Sequence, residues 1–353
     1  MAPPGDIKRR RLLGALGSLG TARALGALGA LGAASGLGLA GCATPAPPAP
    51  PPRAPRAWST AAAAGRLLII GGAEDRVDER SILRRFMELS GGPSARLRFI
   101  TGATNEPAFA ERVYGEAMQT VGARDVAFLH LTEAADSAHP DLLAELGRAD
   151  GVFITGGDQR RLMGKLWHTP AMAALHTGYR QRGLVVAGTS AGAAAMSRAM
   201  IAQGPALLVP QKEAVSLDLG LNLLPQALVD QHFSQRRRLS RLLSAVALRP
   251  DLLGIGIDED TALLVDGGRA IEVIGRSSIT LVDGVGMQTN MRQAQPQEHL
   301  EMIGVGLHVL PSGRRYRHPD PDVAGAETQA DDPPPDLRAV VRRLLEAPPI
   351  LVL

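Results

Sequence analysis

The chain has 353 residues, with 38 Lys and Arg against 35 Asp and Glu and a formal net charge of +3. Residues 1–41 hold five of the basic side chains and one acidic one, so the remaining 312 residues carry 33 basic and 34 acidic groups. A body so close to neutral gives no indication of a nucleic-acid partner. The single cysteine, Cys42, excludes an internal disulfide, a thiol nucleophile in the body and a cysteine metal site.

The N-terminal segment has the pattern of an export signal. Residues 8–11 are basic, residues 12–40 are rich in Leu, Ala and Gly, and the run ends in the tetrapeptide Leu-Ala-Gly-Cys42. This ending resembles a bacterial lipobox and predicts a lipoprotein signal peptide over residues 1–41, with a diacylglycerol on Cys42. An uncleaved membrane helix is the alternative, although its glycines disfavour a stable helix. We expect an exported, lipid-anchored protein at the outer membrane, the cell surface or the periplasm, with Sec and twin-arginine export both open.

The body begins with a tether and continues with alternating strands and helices. Residues 42–65 are rich in Ala and Pro, which predicts a semi-rigid extended segment. Strands are predicted at 66–70, 96–100, 125–131, 151–155 and 184–187, and helices at 81–89, 105–121, 139–146, 160–167 and 169–182. This alternation predicts an α/β fold with a doubly wound, mostly parallel sheet and helices on both faces.

The pattern changes near residue 253. Short strands with glycine turns are predicted at 254–257, 262–265, 270–274, 278–282 and 306–310. They would extend the same sheet with antiparallel strands or form a small second sheet. We assign residues 66–317 to one catalytic domain. Residues 318–353 are predicted to be a loose Pro/Asp-rich segment followed by a terminal helix at 337–346.

Three polar turns follow predicted parallel strands at their carboxyl ends. They read Gly-Gly-Ala-Glu-Asp at 71–75, Gly-Gly-Asp-Gln at 156–159 and Gly-Thr-Ser at 188–190. In an open parallel sheet these ends lie along one edge, where ligands bind. The last turn continues as Ala-Gly, so Ser190 stands in the G-x-S-x-G pattern of a nucleophile elbow. Taken alone, this pattern is more often an ordinary connection between a strand and a helix.

A serine nucleophile needs a base, an orienting acid and donors for the oxyanion. His232, in a polar run after an apolar segment, is the candidate base, and a structural histidine is the alternative. Glu259 follows an apolar strand and is the candidate acid, with a solvated turn carboxylate as the alternative. The N–H groups of Ala191 and Gly157 are the candidate oxyanion donors.

Four arginines follow His232 closely. Arg236, Arg237, Arg238 and Arg241 are predicted to open a helix, with Arg237 or Arg238 above Arg241 on one face. A charge run is usually a solvated face. Beside a candidate base, however, clustered guanidinium groups suit bidentate binding of a carboxylate. The sequence therefore indicates an acidic group in the substrate.

At these positions the chain resembles peptidase family S51, and within it the cyanophycinase branch, over residues 67–265. The resemblance rests on five segments in order, at 71–75, 156–159, 188–193, 230–233 with the arginines that follow, and 254–259. It implies a class I glutamine amidotransferase-like fold and a homodimer. It also implies that Ser190 is the nucleophile, His232 the base and Glu259 the orienting acid.

The resemblance further implies cyanophycin as the substrate, a poly-aspartate chain with arginine on each side-chain carboxyl. The family's substrate-binding residues match Gln159, Asp230, Gln231, Arg236, Arg238 and Arg241. The arginines would bind aspartyl carboxylates, and Asp158, Asp230 or Gln159 would receive the guanidinium group. The implied reaction releases β-Asp-Arg dipeptides through an acyl-enzyme, without metal or cofactor. An α-aspartyl dipeptidase of the same family and a catalytically silent binding module are the alternatives.

Overall fold

A computed structural model describes residues 65–324 and 330–346 of the chain. The predicted signal peptide, the lipid site at Cys42 and the tether up to residue 64 lie outside the described residues and stay predictions. Within the described ranges, no helix is both long enough and apolar enough to cross a membrane.

The secondary structure alternates as predicted up to β5 and then becomes mostly strand. The strands are β1 Arg66–Ile70, β2 Arg96–Ile100, β3 Asp125–Leu129, β4 Gly151–Ile154, β5 Val185–Thr189, β6 Ala199–Gln203, β7 Ser216–Leu219, β8 Ala227–Gln231, β9 Leu253–Ile257, β10 Thr261–Asp266, β11 Ala270–Gly275, β12 Ser278–Asp283, β13 Gln288–Thr289, β14 Met302–Ile303, β15 Gly306–Pro311 and β16 Arg315–Arg317. The helices are α1 Ser81–Leu89, α2 Pro107–Thr120, α3 Pro140–Arg148, α4 Gln159–Leu166, α5 Pro170–Gln181, α6 Ala191–Ala194, α7 Leu239–Leu248, α8 Pro321–Ala324 and α9 Pro335–Leu345, with a 3₁₀ helix at Ala134–Ala138.

The main sheet has eight strands in the order β16-β11-β10-β1-β5-β4-β2-β3. The five neighbouring strands β1, β5, β4, β2 and β3 run parallel. Strands β10, β11 and β16 form an antiparallel flank beside β1. Alternate residues of β1 belong to different cores, with Leu67 and Ile69 in one and Leu68 and Ile70 in the other. A strand that is apolar on both sides needs cover on both faces of its sheet. The doubly wound α/β fold and its antiparallel extension are therefore confirmed.

A second sheet, in the order β15-β12-β9-β8, carries the later part of the site. Strands β8 and β9 run parallel, with Gln231 opposite Ile257. The residues that follow these strands, beginning with His232 and Asp258, therefore emerge side by side. The expected antiparallel strands are thus divided between the main sheet and this separate one.

The turn at Gly71 and Gly72 joins the carboxyl ends of the two sheets. The His232 N–H donates to the Gly71 carbonyl at 2.7 Å, and the Asp260 N–H donates to the Gly72 carbonyl at 2.9 Å. A Cβ on Gly71 would lie 2.0 Å from the Asp258 carbonyl oxygen. The two backbones approach so closely here that only glycine fits, and this approach brings both sheets to one site.

Two parts of the sequence interpretation are corrected by the structure. Strands β6, β7, β13, β14 and β16 and the bounds of β8 were not predicted, and helix α7 begins at Leu239 rather than at Arg236. Arg237 has a φ of 51°, a left-handed conformation that cannot continue a right-handed helix. Arg236, Arg237 and Arg238 therefore form a turn ahead of the helix, and only Arg241 lies on it.

Candidate active site

Ser190 lies on a sharp turn between β5 and the short helix α6. Its φ of 52° and ψ of −109° fall in a region that residues with side chains rarely occupy. The flanking positions have room only for glycine. A Cβ on Gly188 would lie 2.6 Å from the Gly192 carbonyl oxygen, and a Cβ on Gly192 would lie 2.4 Å from the Ile154 carbonyl oxygen. The Ser190 N–H donates to the Ile70 carbonyl at 3.0 Å, which fixes the turn at the end of the sheet.

The side chains of Ser190, His232 and Glu259 meet, although they are distant along the chain. Ser190 Oγ lies 2.9 Å from His232 Nε2, and His232 Nδ1 lies 2.6 Å from Glu259 Oε1. With its Nδ1 proton donated to Glu259, the imidazole presents an unprotonated Nε2 to the serine hydroxyl. A hydroxyl, a base and an orienting carboxylate in this line are able to perform nucleophilic acyl transfer.

The imidazole of His232 packs against the backbone of Gly72. A Cβ on Gly72 would lie 2.3 Å from the imidazole Cε1 and 2.5 Å from Nε2. Gly72 also has a φ of 100°, which disfavours any residue with a side chain. His232 itself has a φ of 48° directly after β8, so the chain bends sharply to bring the ring onto this glycine.

The surroundings of His232 keep its imidazole neutral near pH 7. Burial lowers the pKa of His232 below its ordinary value of 6.5, and the hydrogen bond to Glu259 opposes this effect. The positive charges of Arg236 and Arg238 lower the pKa further. A neutral imidazole is the form that can accept a proton from a serine hydroxyl.

The loop that carries Glu259 is fixed by its neighbours. The Glu259 N–H donates to Gln235 Oε1 at 3.0 Å. The preceding residue, Asp258, is buried and accepts the Ser234 N–H at 3.0 Å and the Ser277 hydroxyl at 2.6 Å. The Glu259 side chain remains 36% exposed, so the loop is held through its backbone and through Asp258 rather than by burial of Glu259.

The predicted oxyanion donors lie close to Ser190. Ala191 is the first residue of α6, so its N–H belongs to the unpaired donors of a helix N-terminus. A Cβ on Gly156 would lie 3.3 Å from Ser190 Cβ, and one on Gly157 would lie 2.2 Å from the Ala103 carbonyl oxygen. Within the described residues, the Gly157 N–H has no hydrogen-bond partner, so it is available to a ligand.

Asp158 and Gln159 have structural contacts at the same turn. Asp158 caps helix α4 by accepting the Arg160 N–H at 2.8 Å, and its side chain is still 37% exposed. Gln159 Nε2 donates to the carbonyl groups of Ile201 at 3.1 Å and Ala202 at 2.7 Å. Gln159 therefore ties the turn to β6, while Asp158 keeps a carboxylate that solvent can reach.

Asp230 is fully buried and holds two of the predicted arginines. Arg241 Nε donates to Asp230 Oδ2 at 2.8 Å, and the Arg241 Nη2 contacts Oδ1. Arg238 Nη1 lies 3.4 Å from Asp230 Oδ1 and 2.6 Å from Gln231 Oε1. A buried carboxylate needs such partners. Arg236, by contrast, is exposed and forms no ion pair with the described residues. Substrate binding by these side chains stays a prediction.

Glu74 also belongs to the site, although it is not among the predicted site residues. Its side chain is 2% exposed, and it accepts the Thr189 hydroxyl at 2.5 Å and the Tyr114 hydroxyl. Because Thr189 directly precedes Ser190, this buried carboxylate fixes the strand end that enters the elbow. Glu74 lies two residues after the glycine pair at 71–72, at the end of a strand, and this position was the sequence feature that could have indicated a role in the site.

Comparison with known proteins gives the family. Residues 67–273 match the model of peptidase family S51. A cyanophycinase from Synechococcus elongatus is 40% identical over 253 residues, which cover 71% of this chain and 79% of that protein. A cyanophycinase from Trichormus variabilis is 41% identical over 251 residues, which cover 71% of this chain and 84% of that protein.

A solved structure supports the same fold. The crystal structure of a peptidase from an acI-B1 Actinobacterium matches with a TM-score of 0.54 and 20% identity, covering 72% of this chain and 97% of that one. The matched family region contains Ser190, His232 and Glu259, and the expected glutamine amidotransferase-like fold is confirmed. The chain therefore belongs to peptidase family S51 and is a peptidase.

Proposed function

We propose that this peptidase hydrolyses cyanophycin and releases β-Asp-Arg dipeptides as a serine-type exopeptidase. The observation that carries the proposal is the hydrogen-bonded line from Ser190 through His232 to Glu259. The similarity to two cyanophycinases at 40% and 41% identity supports the choice of substrate. The exposed guanidinium of Arg236 beside this line suits a polymer that is rich in carboxylates.

The geometry supports an acyl-enzyme mechanism. Ser190 Oγ attacks the carbonyl carbon of the scissile amide, and its proton passes to His232 Nε2. Glu259 stabilises the imidazolium through Nδ1–H, and the N–H groups of Ala191 and Gly157 stabilise the oxyanion. The imidazolium then protonates the leaving amine as the carbon–nitrogen bond breaks. A water molecule, deprotonated by the same imidazole, hydrolyses the ester and frees the serine.

The charged residues divide into two groups in this proposal. Arg236 is exposed and binds an aspartyl carboxylate of the substrate directly. Arg238 and Arg241 contribute mainly by holding Asp230, which is buried and occupied by both, so Asp230 does not receive the substrate guanidinium. Asp158 is the better acceptor for that group, because its side chain is 37% exposed.

The direct test of the proposal is product analysis with purified protein and insoluble cyanophycin. We expect mass spectrometry to find β-Asp-Arg dipeptides as the released product. Ser190→Ala should lower the rate of release by at least about 10³-fold, because the covalent route is lost. Ser94→Ala, at an exposed serine elsewhere, is the matched control and should retain full activity.

Hydrolysis of α-aspartyl dipeptides but not of cyanophycin would instead support the dipeptidase function, which uses the same nucleophile arrangement. Turnover of neither substrate would support a silent binding module. Full activity of Ser190→Ala would show that the nucleophile is another residue.

A second prediction concerns Gly72. Gly72→Ala places a methyl group 2.3 Å from the His232 ring, so the imidazole must move away from Ser190. Displacement of a catalytic group on the scale of about 1 Å costs about 10²-fold in rate, and we expect at least that loss. Gly122→Ala is the control, since Gly122 has a similar φ of 92° but nothing within 4 Å of the added Cβ. Equal activity losses in the two variants would show that displacement of the His232 ring is not the cause of the loss.

The third prediction is the pH dependence of dipeptide release. The rate should fall on the acid side as His232 becomes protonated, with a midpoint below 6.5 because burial lowers the pKa of His232. Arg236→Gln removes a positive charge that also lowers this pKa, so the acid limb should move to higher pH. The measurement is the rate at limiting substrate across pH, which reports the titration of the free enzyme, with Arg124→Gln, an exposed arginine outside the site, as the control. An acid limb that moves to lower pH in Arg236→Gln would contradict the assignment of His232 as the base.

A further inference from the structure

A cavity of about 440 Å³ opens beside helix α5, and none of the residues that line it belongs to the hydrolytic site. One wall is a single face of α5, with Met172, His176 and Arg180 at intervals of four residues. The opposite wall includes Arg198 ahead of β6 and Asn222 after β7. Volumes of this size are typical of small-molecule sites.

The cavity carries positive charge without a counter-ion. It is lined by Arg180 and Arg198, and no Asp or Glu is among its lining residues. Within the described residues neither arginine forms an ion pair. Arg98 shows the usual arrangement in this protein, because it is buried and pairs with two carboxylates. Arg198 is exposed, but Arg180 is half-buried, and a half-buried guanidinium without a carboxylate is stabilised by an anion from outside the chain.

The histidine in the wall orients one of these arginines. His176 Nε2–H donates to the Leu221 carbonyl at 2.6 Å, which leaves Nδ1 to accept Arg180 Nη2 at 3.2 Å. Burial lowers the pKa of His176, and the charge of Arg180 lowers it further. The imidazole is therefore neutral near pH 7, and the positive charge belongs to the guanidinium.

Apolar side chains line the cavity beside the arginines. Trp167, Met172 and Leu219 supply an apolar surface in the same cavity.

We propose that this cavity binds a small apolar carboxylate, a molecule with a free carboxylate and an apolar side chain. N-blocked apolar amino acids and the C-terminal ends of short apolar peptides belong to this class. The carboxylate lies between Arg180 and Arg198, and the apolar group lies against Trp167 and Met172. The site is separate from the hydrolytic one, so occupancy does not require Ser190.

The test uses N-acetyl-L-phenylalanine as the probe and its uncharged amide as the matched control, with binding measured by calorimetry. We expect the carboxylate to bind at least about tenfold more tightly than the amide, and tighter than about 1 mM. Arg180→Gln and Arg198→Gln should each weaken binding at least fivefold, because each removes one charge. Ala173→Trp fills the cavity from an exposed position on α5 and should abolish binding.

Arg236→Gln separates this cavity from the hydrolytic site and should leave probe binding unchanged. Binding that is lost in Arg236→Gln but kept in Ala173→Trp would overturn the proposal. So would equal binding of carboxylate and amide, or no binding of the carboxylate below about 1 mM. Thermal unfolding of the cavity variants, followed in parallel by circular dichroism, shows whether each variant is folded and keeps this test independent of the proposed activity.

Discussion

The contact on which the site depends is the packing of the His232 imidazole on the bare backbone of Gly72. The two sheets meet there, because the carbonyl groups of Gly71 and Gly72 accept the N–H groups of His232 and Asp260, which follow strands of the second sheet. A side chain at either glycine would collide with that sheet. The close approach therefore aligns β1 and β5, which deliver Ser190, with β8 and β9, which deliver His232 and Glu259.

The charged side chains that stabilise the structure around the site differ from those that take part in the reaction. The arginines that neutralise Asp230 are removed from solvent and hold the strand end before His232. The Arg238 guanidinium, together with that of Arg236, disfavours a positive charge on the imidazole. Glu74 performs a comparable structural role on the other sheet, because it binds the residue before Ser190. The strand ends before His232 and before Ser190 are thus each anchored by a buried carboxylate.

The sequence predicted the parallel half of the fold well, because its strands are short apolar runs separated by helices with clear periodicity. The bounds of strand β8 were not predicted because it ends in Asp230 and Gln231, polar residues that look exposed in sequence but are buried. Their burial depends on Arg238 and Arg241, partners that no local pattern identifies. The helix predicted from Arg236 was wrong for a related reason, since the left-handed conformation of Arg237 is set by the turn after His232. Ser190, His232 and Glu259 could be proposed from sequence motifs, but their contact depends on the register of two sheets.

The most direct test of the central claim is labelling by a fluorophosphonate, followed by peptide mass spectrometry. We predict one modified serine, Ser190, because its hydroxyl is hydrogen bonded to a neutral imidazole. Glu259→Gln should slow labelling by at least about 10²-fold, since the imidazole loses the carboxylate that orients it. Modification of a different serine, or an unchanged labelling rate in Glu259→Gln, would contradict the account.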